Sequence, residues 1–195
     1  ATFSTSALSD GPHSLAVRAR DAAGNVDLSP ALHTWVVDLT APATTITAGP
    51  TGTTADDTPT FEFASNEFGA TFECSLDGAP FTACPAAFTT AALDDGSHTL
   101  LVRAVDPAGN RDDTPASRTF TVDTTAPETT LTALDGALTN DATADFTLGS
   151  DDAGATFECS VDGGAFATCP AAFATAALAD GPHTLAVRAV DAVGN

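Results

Sequence analysis

The chain has 195 residues and a formal net charge of −20, carried by 26 acidic residues against six arginines. A surface this acidic repels nucleic acid and anionic lipid, so we expect neither as a partner. Because no apolar run is long enough to span a bilayer, we also expect no membrane insertion of this segment.

An internal 85-residue repeat organises the chain. The segment that begins at Gly11 returns at Gly96 and again at Gly181. A repeat this long predicts a domain, because a unit of this length can enclose a core of its own. The predicted domains are the C-terminal part of one repeat at 1–38, a complete repeat at 39–123, and a repeat without its last strand at 124–195. We therefore expect the chain to be a window on a longer polypeptide, with any export signal or anchor outside it.

Short segments of alternating apolar residues predict about seven strands in the complete repeat and no amphipathic helix. The Asp77-Gly78 pair predicts a hairpin turn. An Ala-rich stretch at 86–93 is ambiguous and could include a helical turn. The predicted strands are, in chain order, Thr44–Thr47, Thr60–Phe63, Thr71–Leu76, Pro80–Cys84, a short strand at Phe88, His98–Val105, and a last strand with Phe120 and Val122. Regular short strands favour an all-β sandwich of two sheets.

The four cysteines follow the repeat, since Cys74 and Cys84 return as Cys159 and Cys169. An even number of cysteines without zinc-site spacing predicts disulfides and therefore an oxidising, extracellular setting. Three pairings are open to four cysteines. The repeat favours Cys74–Cys84 and Cys159–Cys169, with the members of a pair facing each other across the hairpin. Free buried thiols are the alternative.

Three motifs recur in the chain. Asp-x-x-Gly-Asn starts at Asp21, Asp106 and Asp191, Asp-x-Thr-Ala-Pro occupies 38–42 and 123–127, and Phe-Glu-Cys-Ser-x-Asp-Gly starts at Phe72 and Phe157. Together they resemble the immunoglobulin-like (Ig-like) repeats of very large secreted or cell-surface proteins of bacteria. The resemblance implies tandem Ig-like β-sandwich domains in an adhesin, a surface stalk or a spacer beside other modules.

The same motifs supply candidate calcium ligands, because calcium takes six to eight oxygen ligands from carboxylates, amides and carbonyls. The alternative is a turn in which the Asp caps backbone amides and the Gly adopts a positive φ. The candidate ligands are Asp21, Asn25, Asp27, Asp38, Asp106, Asn110, Asp112, Asp123, Asp191 and Asn195. Calcium is the one cofactor that the sequence suggests.

Other recurring polar residues have structural interpretations. His13, His98 and His183 lie in different repeats, so they predict a hydrogen bond in the turn before the long strand. Arg103 and Arg188 predict ion pairs with Glu73 and Glu158 on the neighbouring strand. Trp35, which stands in the register of Phe120, predicts a core position.

No nucleophile–base arrangement, phosphate loop or zinc spacing stands out, so we expect a non-enzymatic protein. The sequence predicts a structural extender of an extracellular or cell-surface stalk, adhesin or fibre. One alternative is an adhesive module that binds a host or surface glycan. A second is a subunit of an extracellular filament that strand exchange completes. The expected partners are neighbouring repeats of the same chain and, in these alternatives, glycans or other copies.

Overall fold

The computed structural model describes residues 2–195, and these contain strands and no helix. The all-β prediction is therefore confirmed. None of the described residues forms a helix long and apolar enough to cross a membrane. The chain divides into two compact units. The first comprises Ala1–Gly49, Thr60–Phe88 and Thr99–Arg118, and the second comprises Pro50–Pro59, Thr89–His98 and Thr119–Asn195. The predicted repeat boundaries at 38 and 123 fall inside these units and stay a prediction.

The first repeat contributes an antiparallel hairpin of β1 (Gly11–Val17) and β2 (Ala31–Val37). Trp35 lies on β2 opposite His13, and its ring stacks on the ring of His33 at a centroid distance of 5.7 Å. The indole is only partly buried. The predicted core position of Trp35 therefore stays a prediction, since the described hairpin covers the indole only in part.

The central repeat contains eight strands, one more than the number predicted. They are β3 (Thr44–Ala48), β4 (Thr53–Thr54), β5 (Thr60–Ser65), β6 (Thr71–Leu76), β7 (Thr82–Cys84), β8 (Ala87–Thr89), β9 (Gly96–Val105) and β10 (Ala116–Val122). One sheet has the order β3-β5-β8 and the other the order β4-β10-β9-β6-β7. The missed strand, β4, is two residues long and pairs in parallel with β10. The ambiguous Ala-rich stretch forms β8 and no helical turn.

Alternating apolar residues build the core of this repeat. Phe61, Leu100, Val102, Phe120 and Val122 are fully buried, and each lies on a strand whose neighbouring residues are more exposed. In the first compact unit, the rings of Phe63 on β5 and Phe72 on β6 meet at a centroid distance of 5.7 Å and join the two sheets. The alternation places one face of each strand in the core, as expected for a sandwich.

The third repeat has the same arrangement within the second compact unit. Its strands are β11 (Thr129–Ala133), β12 (Asp145–Ser150), β13 (Thr156–Val161), β14 (Ala167–Cys169), β15 (Ala172–Ala174) and β16 (Leu185–Val190). They form the sheets β11-β12-β15 and β14-β13-β16. Leu148 packs with the disulfide of Cys159 and Cys169, and Phe146 and Phe157 cover this cluster. The disulfide is therefore part of the core.

The hairpin that carries each disulfide forms at the predicted turn. Asp77 and Gly78 have φ values of 52° and 77°, and Asp162 and Gly163 adopt similar positive values. The disulfides join Cys74 to Cys84 and Cys159 to Cys169. However, the partner of Cys74 in the ladder is Thr82 and that of Cys84 is Phe72. The cysteines are thus diagonal neighbours and do not face each other directly, because the register centres the hairpin on Gly78.

Candidate metal site and repeat junctions

The Asp-x-x-Gly-Asn segment after β9 is a closed turn. Asp106 is 5% exposed, and its Oδ1 accepts hydrogen bonds from the backbone N–H of Gly109 at 2.6 Å and of Asn110 at 2.8 Å. The Asn110 side-chain amide donates to Oδ2 at 2.8 Å. Gly109 has a φ of 98°, a conformation that glycine adopts without steric cost. Burial raises the pKa of Asp106, but the hydrogen bonds from Asn110 and Gly109 outweigh burial and hold the pKa below its usual value.

The other two copies of the motif form the same turn. Asn25 donates to Asp21 and Asn195 donates to Asp191 through both the backbone N–H and the side-chain amide. In all three copies the carboxylate oxygens thus accept bonds from their own turn. The turn-forming interpretation of the motif fits this geometry, and any metal ligation would have to share oxygens that already accept hydrogen bonds.

Asp112 bonds to residues other than the predicted ligands of its loop. Its Oδ1 accepts bonds from the N–H and hydroxyl of Thr114, and its Oδ2 accepts the N–H of Thr44 at 2.8 Å. The carboxylate is 4% exposed and ties the loop to the first strand of the repeat. Asp27 bonds in the same way to the N–H and hydroxyl of Ser29. These two predicted ligands therefore have structural partners.

Asp38 and Asp106 are the predicted ligands that the fold brings together, and Glu67 joins them. One carboxylate oxygen from each lies within 4.8 Å of the other two. Burial raises the pKa of Glu67, and the negative charges of Asp38 and Asp106 raise it further. Three like charges this close repel one another unless a proton or a cation neutralises them. We call Asp38, Glu67 and Asp106 the acidic triad.

Sequence reasoning missed Glu67 because it lies in the loop after β5, far from both motifs in the chain. A signal was available, since the equivalent position of the third repeat is also acidic, Asp152. Asp152 turns to its own loop, where its Oδ1 accepts the N–H of Gly154 at 2.8 Å. In the described part of the chain, Asp123 and Asp191 belong to no equivalent triad.

Side chains at the ends of the repeats also bond to the Asp-x-Thr-Ala-Pro linkers. Asn110 donates its side-chain N–H to the carbonyl oxygen of Asp38 at 3.0 Å, and Asn195 does the same to Asp123 at 2.7 Å. Asn110 thus bonds both within its turn and to the linker that precedes its repeat. A polar side chain can position the linker in this way without any metal.

The remaining predicted contacts are structural. His13, His98 and His183 each bond through Nε2 to a carbonyl oxygen four residues earlier. Arg103 pairs with Glu73 at 2.8 Å and Arg188 pairs with Glu158 at 2.6 Å, on the face away from the core. Each guanidinium also covers a phenylalanine ring, Phe81 in the first case and Phe166 in the second.

Comparison with known families identifies the repeat. Residues 32–124 match the family described as bacterial Ig-like domain. This segment is a bacterial Ig-like domain. The match includes the whole central repeat. The two-sheet strand arrangement and the recurring motifs of this domain extend to the third repeat. A comparison with curated proteins returned no match.

Solved structures similar to the chain include three regions of large bacterial adhesins. A Ca2+-stabilised adhesin that helps an Antarctic bacterium bind ice is 23% identical with a TM-score of 0.43, over 95% of this chain and 54% of its own. A tetra-tandem repeat from the extending region of a large adhesion protein is 19% identical with a TM-score of 0.33, over 96% and 55%. A 1.5-MDa bacterial ice-binding adhesin is 20% identical with a TM-score of 0.35, over 95% and 62%. The chain thus spans little more than half the length of these structures, and they are too distant for any residue to inherit a role from them.

Proposed function

We propose that the chain is a non-enzymatic extender segment of a large bacterial adhesin or stalk at the cell surface. The observation that carries this proposal is the recurrence of one Ig-like repeat with the same linker contacts at 38–40 and 123–125. A short linker that contains proline and has its polar groups bonded favours an extended array over a flexible string. The disulfides in the central and third repeats suit an oxidising extracellular setting.

Small-angle X-ray scattering of tandem copies tests the extender function. Proteins with two, four and six copies of residues 39–123 should show a maximum dimension that grows by a constant increment per copy. A maximum dimension that levels off would show that the copies fold back on one another and would contradict the proposal. A glycan array tests the alternative of an adhesive module, because an extender should give no specific binding.

Strand exchange with a second copy is a second candidate function, and one observation favours it. A groove of about 640 Å3 in the third repeat is lined by Phe146, Val161 and Leu185. In the central repeat, β10 lies beside β9 and buries Phe120 and Val122. Strand β2 has the same position within the repeat as β10, and its Trp35 stands in the register of Phe120. In strand exchange, β2 of another copy would occupy the groove of the third repeat. Sedimentation velocity should then show oligomers that Trp35→Asp converts to monomers, and a monomeric parent protein would rule strand exchange out.

We also propose that calcium binds at the acidic triad and stabilises the first repeat junction. The three carboxylates provide hard anionic oxygens in one place, and a divalent cation would relieve their mutual repulsion. The melting midpoint of the chain should therefore be higher in calcium chloride than in chelator. Glu67→Gln should raise the midpoint in chelator, because it removes one of the repelling charges, and should abolish the gain from calcium.

Asp152→Asn is the matched control for this experiment. It changes the equivalent residue of the third repeat, whose carboxylate bonds to its own loop, so the gain from calcium should persist. An equal midpoint in calcium and chelator for the parent chain would refute calcium binding. It would leave the extender function intact, because the linker contacts involve no metal.

A further inference from the structure

The linker between the first and central repeats is held by side chains from both of its neighbours. From the preceding repeat, Asp10 accepts the N–H of Leu39 at 3.0 Å and the hydroxyl of Thr40 at 3.2 Å. From the following repeat, Asn110 donates to the carbonyl oxygen of Asp38 at 3.0 Å. Three consecutive linker residues thus have a polar group bonded to a residue outside the linker.

The linker between the central and third repeats has the same set of contacts. Asp95 accepts the N–H and hydroxyl of Thr124, both at 2.8 Å, and the hydroxyl of Thr125 at 2.5 Å. Asn195 donates to the carbonyl oxygen of Asp123 at 2.7 Å. Asp95 and Asn195 occupy the positions of Asp10 and Asn110 one repeat later in the chain. The contacts are therefore a property of the repeat and not of one junction.

The end of the linker is fixed as well. The N–H of Ala43 donates to the Asn66 side chain at 2.7 Å, and the N–H of Glu128 donates to the Asp151 side chain at 2.8 Å. Between the two sets of contacts lies the proline, Pro42 or Pro127, whose ring fixes φ. Few backbone torsions of the linker are left free to rotate.

We propose that each repeat docks onto its two neighbours in the chain through polar side chains at its two ends. The aspartate before the long strand (Asp10, Asp95) binds the next linker, and the asparagine that ends the Asp-x-x-Gly-Asn turn (Asn110, Asn195) binds the preceding one. We call this pair of contacts the junction clamp. The clamp limits bending between repeats, and it deepens the extender function, on which it rests.

The chemistry of the clamp suits an exposed junction. A carboxylate that accepts several N–H and O–H donors makes charge-assisted hydrogen bonds, which are shorter and stronger than neutral ones. Hydrogen bonds from Thr125 and Thr124 accordingly hold the pKa of Asp95 below its usual value. The Asn110 amide cannot easily turn away from the linker, because its other contact is the Oδ2 of Asp106 in a closed turn.

The first and third repeats offer internal controls. Asn25 forms the same turn as Asn110, and its side-chain N–H bonds to Asp21 at 2.7 Å. Asp180 occupies the position of Asp95 in the third repeat. Neither contacts a linker in the described residues, so the loss of either side chain should leave both junctions unchanged.

Residual dipolar couplings of the full chain, recorded in chelator, test the clamp. For the parent chain, the amide couplings of 39–123 and of 124–195 should fit one alignment tensor. In Asp95→Ala, the two segments should need different tensors, with a smaller magnitude for 124–195. Because the Asp95 side chain is exposed, both repeats should keep their parent chemical shifts away from the junction.

Asp180→Ala should retain the single tensor. Asn110→Ala tests the clamp at the first junction. In this variant, the β1–β2 hairpin and the central repeat should need different alignment tensors. In the control Asn25→Ala, one tensor should fit both. Separate tensors in the parent chain, a single tensor in Asp95→Ala, or an equal change in Asp180→Ala would each overturn the clamp. Scattering from tandem copies reports the extender function independently, so failure of the clamp and failure of that function are distinguishable.

Discussion

A buried hydroxyl without a partner gives a sharp test of the packing described above. Thr90 is 5% exposed, and its Oγ1 has no hydrogen-bond partner. In the third repeat the equivalent Oγ1, of Thr175, accepts the N–H of Ala144 at 3.0 Å. The residue of the central repeat at the position of Ala144 is Pro59, which has no N–H to donate. One sequence difference thus leaves one hydroxyl satisfied and the other not.

Replacing each threonine by valine should have opposite effects, because valine keeps the shape and removes the hydroxyl. Thr175→Val leaves the N–H of Ala144 without its acceptor, which should cost about 1–3 kcal/mol. Thr90→Val removes a buried hydroxyl that makes no hydrogen bond. The free energy of unfolding should therefore stay unchanged or rise by up to about 1 kcal/mol. For a domain of this size, each kcal/mol shifts the melting midpoint by roughly 4–8 °C.

Calorimetry gives the midpoints, and hydrogen exchange of the peptides from each repeat assigns them. Ala144→Pro is the control, because it removes the N–H that donates to the Thr175 hydroxyl. In that background, Thr175→Val should no longer destabilise. A Thr90→Val variant that loses as much stability as Thr175→Val would refute the reasoning.

Three further predictions follow from the contacts. Cys74→Ala with Cys84→Ala should lower the unfolding free energy of the central repeat by about 2–4 kcal/mol, the range for a short closed loop; an unchanged midpoint in guanidinium denaturation would contradict it. A double-mutant cycle should give a larger coupling free energy for Arg103–Glu73 than for Arg188–Glu158, because the first pair is less exposed and water screens it less. The side chains are 28% and 22% exposed in the first pair and 59% and 31% exposed in the second. Both coupling free energies should stay below about 1 kcal/mol, and the reverse order would count against this argument. The pKa of Asp112 lies below its usual value of 3.8, because the hydrogen bonds from Thr44 and Thr114 outweigh the effect of burial. The pKa of Asp162 lies below the same value because Thr184 and His183 bond to its carboxylate. Their stabilisation is complete above that pH and is lost as the pH falls through the lowered values, so a melting midpoint that already falls with acid well above pH 5 would contradict the assignment.

Much of the fold follows from local patterns in the sequence. Phe61 and Phe63 alternate with polar residues because one face of their strand is buried, and Asp77-Gly78 adopts the positive φ values that a tight hairpin needs. Patterns of this kind involve residues two to four positions apart, so they can be interpreted without a partner strand. Strand β4 was missed because its two residues are a strand only by pairing with β10, which lies far along the chain at the other end of the repeat.

The candidate site shows where local patterns stop. The sequence grouped Asp112 with Asp106 because they are close in the chain, yet Asp112 bonds to Thr44 and Asp106 to its own turn. It could not group Glu67 with Asp38, because that proximity arises only when the loop after β5 reaches the linker. The diagonal position of the cysteines was hidden for a related reason, since the ladder register decides it.

The sequence by itself determined the repeat and its period, the strand alternation, the hairpin turn and the turn-forming chemistry of Asp-x-x-Gly-Asn. Each of these depends on neighbours in the chain or on comparison of one repeat with the next. Only the tertiary structure decided that the Asn110 amide reaches the carbonyl of Asp38, and that three carboxylates meet beside it. The physical reason is that such contacts join residues tens of positions apart, and their distances are set by strand register and linker geometry, which no local pattern specifies.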